Sequence, residues 1–135
     1  MMRAAAYRLT LYRAGDVLAR VGRRSALADG WMARHGAREA GFITAWNPMS
    51  RMMPPRWNRA AQKQLARDLR GVPVEAGEGA LGGWREEMLL VASPLGELRR
   101  LARRYRQAAI ILLRRGRPAA LVWTTSCRET DSRLR

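Results

Sequence analysis

Residues 77–92 read GEGALGGWREEMLLVA, and whether the first half is loop or strand decides what kind of sheet the chain builds. Glycines at 77, 79, 82 and 83 bring no side chain to pack and leave the backbone free, which marks a flexible turn. Trp84 and the run EEMLLVA then read as a strand through Val91. Glu86 and Glu87 are neighbours on it, so they point to opposite faces and only one can enter a given pocket. The glycines do not make a phosphate loop. They lack the Lys-Ser/Thr ending, and they precede a strand instead of a helix N-terminus.

Working outward, Pro94 opens a helix with Leu95, Leu98, Leu101, Ala102 and Tyr105 toward the core. Beyond Gln107, AAIILL and ALVW are apolar runs joined by RRGRP, the pattern of a hairpin with a longer loop. Upstream, Pro54 and Pro55 suit a first helical turn, Trp57, Ala61, Leu65 and Leu69 recur every four residues, and Gly71 closes the segment. Gly41 to Ala45 is a short buried strand. Ser25 to His35 is a helix capped by Ser25, with Leu27 and Trp31 on one face and Gly36 as its stop. Tyr7 to Tyr12 alternates as a half-buried strand with Arg8 and Thr10 outward, followed by a turn at Gly15 and Asp16. This order predicts a single α/β domain bordering on α+β over residues 1–124, with a mixed sheet covered by two or three helices. Residues 125–135 form a polar tail expected to be disordered.

Composition narrows the class. A chain of 135 residues, 47% hydrophobic with five tryptophans, is long enough for one core. It carries 26 Lys plus Arg against 11 Asp plus Glu, and Lys63 is the only lysine. A field of that sign attracts nucleic acid, anionic membrane surface or acidic ligands; GC-rich coding also yields Arg-, Ala- and Gly-rich chains. Cys127 is the single cysteine and lies in the tail, so neither an intrachain disulfide nor a cysteine metal site is expected. Arg8 interrupts the N-terminal region, no apolar run approaches the roughly 20 residues of a membrane span, and a cytoplasmic protein without cofactor or metal is expected.

The stretch FITAWNPMS, Phe42 to Ser50, ends an apolar run on an Asn-Pro turn. Asn47 and Ser50 leave the strand's C-terminal end, where open α/β sheets bind ligands, and Asn58 lies in the first turns of the next helix. With Glu86 or Glu87 and Gln107 they form a candidate ligand site. Turn chemistry offers a plain alternative, because Asn before Pro initiates turns and amide side chains tie loops to backbone. As an enzyme, the chain would use one glutamate as a lone general base with Asn47 or Asn58 orienting the substrate. His35, beside a helix stop, is a poor base, and Ser50 has no histidine within sequence reach.

FITAWNPMS, Asn58, GEGALGGWREEMLLV, RYRQAAIIL and AALV, taken in order from about Tyr7 to Trp123, resemble DUF3293, a small bacterial family of unknown function. The resemblance implies a compact single α/β domain and no established activity. It expects a small polar residue where Met88 stands and a glycine where Arg106 stands, so no role that needs Ser or Gly is carried over to those positions.

The arginines form a second candidate site. Arg59, Lys63, Arg67 and Arg70 stripe the helix after Pro54, and Arg99, Arg103 and Arg106, with Arg100 and Arg104 beside them, stripe the helix after Pro94. Asp68 and Glu97 offset them only in part. The leading expectation is therefore a binding domain for an anionic ligand, nucleic acid or nucleotide, with a solvated helix face as the plain alternative. An enzyme pocket at the end of the Phe42–Ala45 strand is the second expectation. An interaction subunit using Met49, Met52 and Met53 is the third. Trp46, Trp57 and Trp84 flank the polar set and would stack a ring or pack the core.

Overall fold

A computed structural model describes residues 4–124; the predicted tail at 125–135, with Cys127, lies outside the described residues. The elements are α1 (Ala4–Leu9), β1 (Leu11–Ala14), β2 (Val17–Ala19), α2 (Ala26–Arg34), β3 (Glu39–Ile43), α3 (Pro55–Asp68), β4 (Val74–Leu81), β5 (Trp84–Val91), α4 (Leu95–Arg104), β6 (Ala109–Arg114) and β7 (Ala120–Trp123), with a tight turn at Pro48–Ser50 before α3. The seven strands make one curled sheet in the order β2-β1-β4-β5-β3-β6-β7. The α/β class stands. Every strand pair is antiparallel, and the expected mixed character is reduced to one isolated parallel bridge, Val21 to Ala119, which links the two ends of the strand order.

The glycine stretch accounts for that difference. Val74 to Leu81 is a full strand paired residue for residue with β5, from Val74 opposite Val91 to Leu81 opposite Trp84. Gly77 and Gly79 sit inside it because neighbours come too close for side chains. A Cβ on Gly77 would lie 2.1 Å from the Arg13 carbonyl oxygen, and one on Gly79 would press on Met88 Sδ at 3.2 Å and the Tyr12 ring at 3.3 Å. Gly82 and Gly83 alone form the turn. A tight β4–β5 hairpin thus replaces the expected loop, and antiparallel pairing follows.

The sheet separates two cores. On one face, Trp31 and Met32 of α2 pack with Tyr12, Ala14, Val17, Phe42, Leu90 and Ile111. On the other, Leu65 and Leu69 of α3 and Leu98 and Ala102 of α4 pack on Ile43, Leu89, Val91, Ile110 and Leu112. Alternation along β5 produces the division, sending Met88 and Leu90 one way and Leu89 and Val91 the other. Ser25 caps α2 by accepting a hydrogen bond from Ala28 N at 3.1 Å, as expected of that residue.

Three local expectations are corrected. Tyr7 belongs to a short helix, since three alanines precede it and the Thr10 hydroxyl donates to the Ala6 carbonyl at 2.6 Å, closing the turn. Leu27 is 49% exposed, and α2 buries Ala28, Trp31 and Met32 instead. Trp57 is 42% exposed, while α3 buries the polar residues Asn58 and Gln62 beside Leu65. Spacing finds a helical stripe but not which of two adjacent stripes the sheet receives. Among the described residues, no helix is long and apolar enough to cross a membrane.

Candidate functional site

Where β3 ends, its backbone is held by side chains from elsewhere. The oxygen of Gln62 accepts from Ala45 N at 2.9 Å, and the Thr44 hydroxyl accepts from Trp46 N at 3.1 Å while lying 2.6 Å from the Glu87 carbonyl. Gln107 donates from Nε2 to the carbonyls of Trp46 at 2.9 Å and Tyr105 at 3.2 Å. The chain then enters the Asn-Pro turn in a costly conformation. Asn47, Met49 and Ser50 have φ of 44°, 53° and 62°, and the fourth non-glycine residue with positive φ among those described, Arg106 at 56°, is bound to the same turn through Met49 N, 2.7 Å from the Arg106 carbonyl. Such backbone costs on the order of 1–3 kcal/mol per residue and persists where the surroundings impose it, typically at binding sites. The position where the family resemblance expects glycine is thus one whose backbone favours glycine.

Asn58 imposes much of that geometry. It is buried; its Oδ1 accepts from Asn47 N at 3.0 Å, and its Nδ2 donates to Asn47 Oδ1 at 2.9 Å and to the Met53 carbonyl at 3.3 Å. Asn47 Oδ1 also accepts from Met53 N at 2.9 Å. With the oxygen doubly engaged, the amide NH2 of Asn47 is left to meet the carboxylate of Glu86, with which it hydrogen-bonds.

These groups line a cavity of about 280 Å³ on the face of the sheet shared with α2. Its walls include Asn47, Ser50, Glu86 and Gln107, together with Tyr7, Tyr12, Thr44, Trp84 and Met88. Four of the five predicted site residues therefore meet. Asn58 does not reach this cavity; it stands behind Asn47 and lines a second opening with Trp46 and Met53. Glu87 is exposed on the opposite face, as strand alternation requires. Burial pushes the Glu86 carboxyl up to about 7, only partly opposed by the Asn47 hydrogen bond. Burial likewise pushes the Tyr12 hydroxyl upward, helped by nearby Tyr7 and Glu86. Among the described residues of the lining, Glu86 is the only charged side chain.

Sequence reasoning missed Tyr7, Tyr12, Thr44 and Gln62 as members or supports of the site. Tyr12 was legible only as a core position, and Tyr7 arrives by way of α1, whose ring edge packs on Trp123 with centroids 5.6 Å apart. Of the tryptophans, Trp84 lines the cavity and Trp57 does not. Of the methionines, Met52 lines the cavity and is 78% exposed, Met49 is 40% exposed outside the lining, and Met53 is half-buried.

The arginine set is placed unevenly. Arg59, Lys63 and Arg67 are exposed along α3, and Arg70 is exposed in the turn just past its end. On α4, Arg99 is half-buried with its Nε unpartnered, and Arg103 donates from Nε to the Thr124 carbonyl at 2.9 Å. Arg106 is exposed beyond the helix end. Arg100 pairs with Glu97 at 3.0 Å and Arg104 with Asp68 at 3.3 Å. His35 sits at the C-terminus of α2 with its ring 4.5 Å from that of Trp31, remote from the candidate cavity lining.

No curated protein and no solved structure matches the chain. Residues 43–110, which contain Asn47, Ser50, Asn58, Glu86 and Gln107, match the family model described as "Protein of unknown function (DUF3293)", and the chain belongs to that family.

Proposed function

We propose that this domain binds a small polar compound, neutral or cationic, in the cavity at the end of β3, with Glu86 as the group that exchanges a proton with it. The supporting observation is that Asn47, Ser50 and Gln107 line one cavity with a partly buried carboxyl, and that no cation stands among the described residues of that lining. A carboxyl held near pH 7 is poised to accept or return a proton at neutral pH, and perturbed acids of this kind gather at functional sites. An ammonium or amide group on the ligand would satisfy it, and the tyrosine and amide groups would fix orientation. The same arrangement suits an enzyme that uses a lone general base, so turnover is a property to measure once a ligand is in hand.

The test is a thermal-shift screen of small amines, amides and neutral polar compounds, with native mass spectrometry of the purified protein to find a retained ligand. A hit is expected to raise the melting temperature of the wild type and to lose most of that shift in Glu86→Gln and Asn47→Ala. Hits unaffected by both substitutions would remove the cavity from consideration.

A second reading, binding of nucleic acid or another polyanion, is favoured by the exposed cations Arg59, Lys63 and Arg67 on α3 and Arg70 just past its end. If four phosphates are neutralised there, affinity for duplex DNA should fall roughly 100-fold between about 50 and 200 mM salt. Fluorescence anisotropy with a labelled duplex measures this directly, and a flat salt response would sink the idea.

A further inference from the structure

At the other end of β3, away from Glu86, the strand and the β6–β7 turn enclose a cleft of about 470 Å³ lined by Arg38, Glu39, Arg114, Arg115 and Arg117. Four guanidinium groups thus face one carboxylate. Glu39 is already committed: its Oε1 accepts from Leu95 N at the start of α4 at 2.8 Å, and its Oε2 accepts from Arg114 Nε at 2.9 Å. Those bonds hold its carboxyl below the usual range. The α4 N-terminus therefore has its anion from within the protein, and Arg114 has its partner. Among the described residues, no ion pair or side-chain hydrogen bond engages Arg38, Arg115 or Arg117.

The backbone carrying these three cations is fixed. Arg115 N donates to the Arg38 carbonyl at 3.2 Å, Arg117 N to the Arg114 carbonyl at 3.0 Å, and Gly116 N to Asp29 Oδ1 of α2 at 3.0 Å. Their exposed side chains line one cleft, and like charges gathered there repel, which an anion bridging them would relieve. A second cleft of about 530 Å³ shares Arg38 and Glu39 with the first and continues between His35, Ala37, Pro73, Ala92 and Pro94. Apart from the shared Arg38 and Glu39, its described lining is the flat His35 imidazole, Ser93, Gly36 and short apolar side chains, a shape suited to a planar ring.

We infer that the joined clefts bind a phosphorylated compound carrying a planar ring, of the nucleoside monophosphate class. The phosphate lies among Arg38, Arg115 and Arg117, where planar guanidinium forks match its oxygens. The ring lies between His35, Pro73 and Pro94. This site is separate from the Glu86 cavity and does not depend on it.

Isothermal titration at about 50 mM salt with adenosine monophosphate, inorganic phosphate and adenosine tests the assignment. The monophosphate is expected to bind at one site at least about ten-fold more tightly than either phosphate or adenosine. The Arg115→Gln/Arg117→Gln double variant should lose at least about ten-fold of that affinity. Glu86→Gln, which alters the other cavity, and Arg59→Gln/Arg67→Gln, which lowers the charge of α3, should leave it unchanged. Equal affinity for monophosphate and inorganic phosphate would overturn the ring site, and equal loss in the α3 variant would reduce the binding to general charge attraction. Absence of saturable monophosphate binding would overturn the proposal altogether.

Discussion

Replacing Gly77 with alanine is expected to destabilise the domain by about 3 kcal/mol or more, the upper range for forcing a methyl group into packed structure. The new Cβ would stand 2.1 Å from the Arg13 carbonyl oxygen and 2.8 Å from Ala14 Cβ, and the first obstacle is backbone that cannot rotate away. Either β1 separates from β4 or β4 bends away from β5. Both strands carry one wall of the Trp31 core, so the disturbance does not stay local. Gly83→Ala is the matched control: nothing lies within 4 Å of its added Cβ, and its effect should fall within about 0.5 kcal/mol. Urea unfolding of the two variants against wild type measures the difference. A Gly77→Ala protein within about 1 kcal/mol of wild type would refute the close approach of β1 and β4 described above.

Glu86 should make stability fall as pH rises, against the usual trend for carboxylates. Its carboxyl titrates near 7 in the folded protein and near 4.5 as a free side chain. Between those values the folded state holds a proton that the unfolded state has released, so stability declines with pH across that window. The penalty is absent below about pH 4.5 and complete above about pH 7, and it amounts to roughly 3 kcal/mol. Glu86→Gln keeps an oxygen for the Asn47 amide and removes the titration. The variant should therefore match wild type near pH 4.5 and exceed it by up to that amount near pH 8, measured by denaturant unfolding at both values. A stability difference independent of pH would show that Glu86 is not held as a protonated acid.

Much of the architecture was legible because it rests on local chemistry. Ser25 caps α2, Pro54 and Pro94 precede α3 and α4, the RRGRP segment turns β6 into β7, and residue alternation on β5 correctly separated Glu86 from Glu87. The glycines of β4 were read as loop because propensity sees only their freedom. Their reason for being there is a backbone and two side chains more than 60 positions upstream, or on the next strand, that leave no room for a Cβ. The polar site was legible to the extent that its members sit at turn and strand ends. Tyr7, Tyr12 and Gln62 were not, because they join the site only through tertiary contacts: Tyr7 through the packing of α1 on Trp123, Tyr12 through the β1–β4 pairing, and Gln62 through its bonds to Thr44 and Ala45 just past β3. Asn58 was found for its residue type, with both a ligand and a loop tie open to it, and it ties Asn47 and Met53, since a side chain that holds another side chain leaves the same trace in sequence as one that holds a ligand.

The cavity at Glu86 takes its walls from residues 7–12, 44–52, 84–88 and 107–109, four segments drawn from most of the described chain. A compound seated there would act as a non-covalent clasp on the whole domain. Its departure would be required before any large part of the sheet could open, so hydrogen exchange should slow in strands that never touch it, and the gain at saturation should follow the ligand concentration logarithmically.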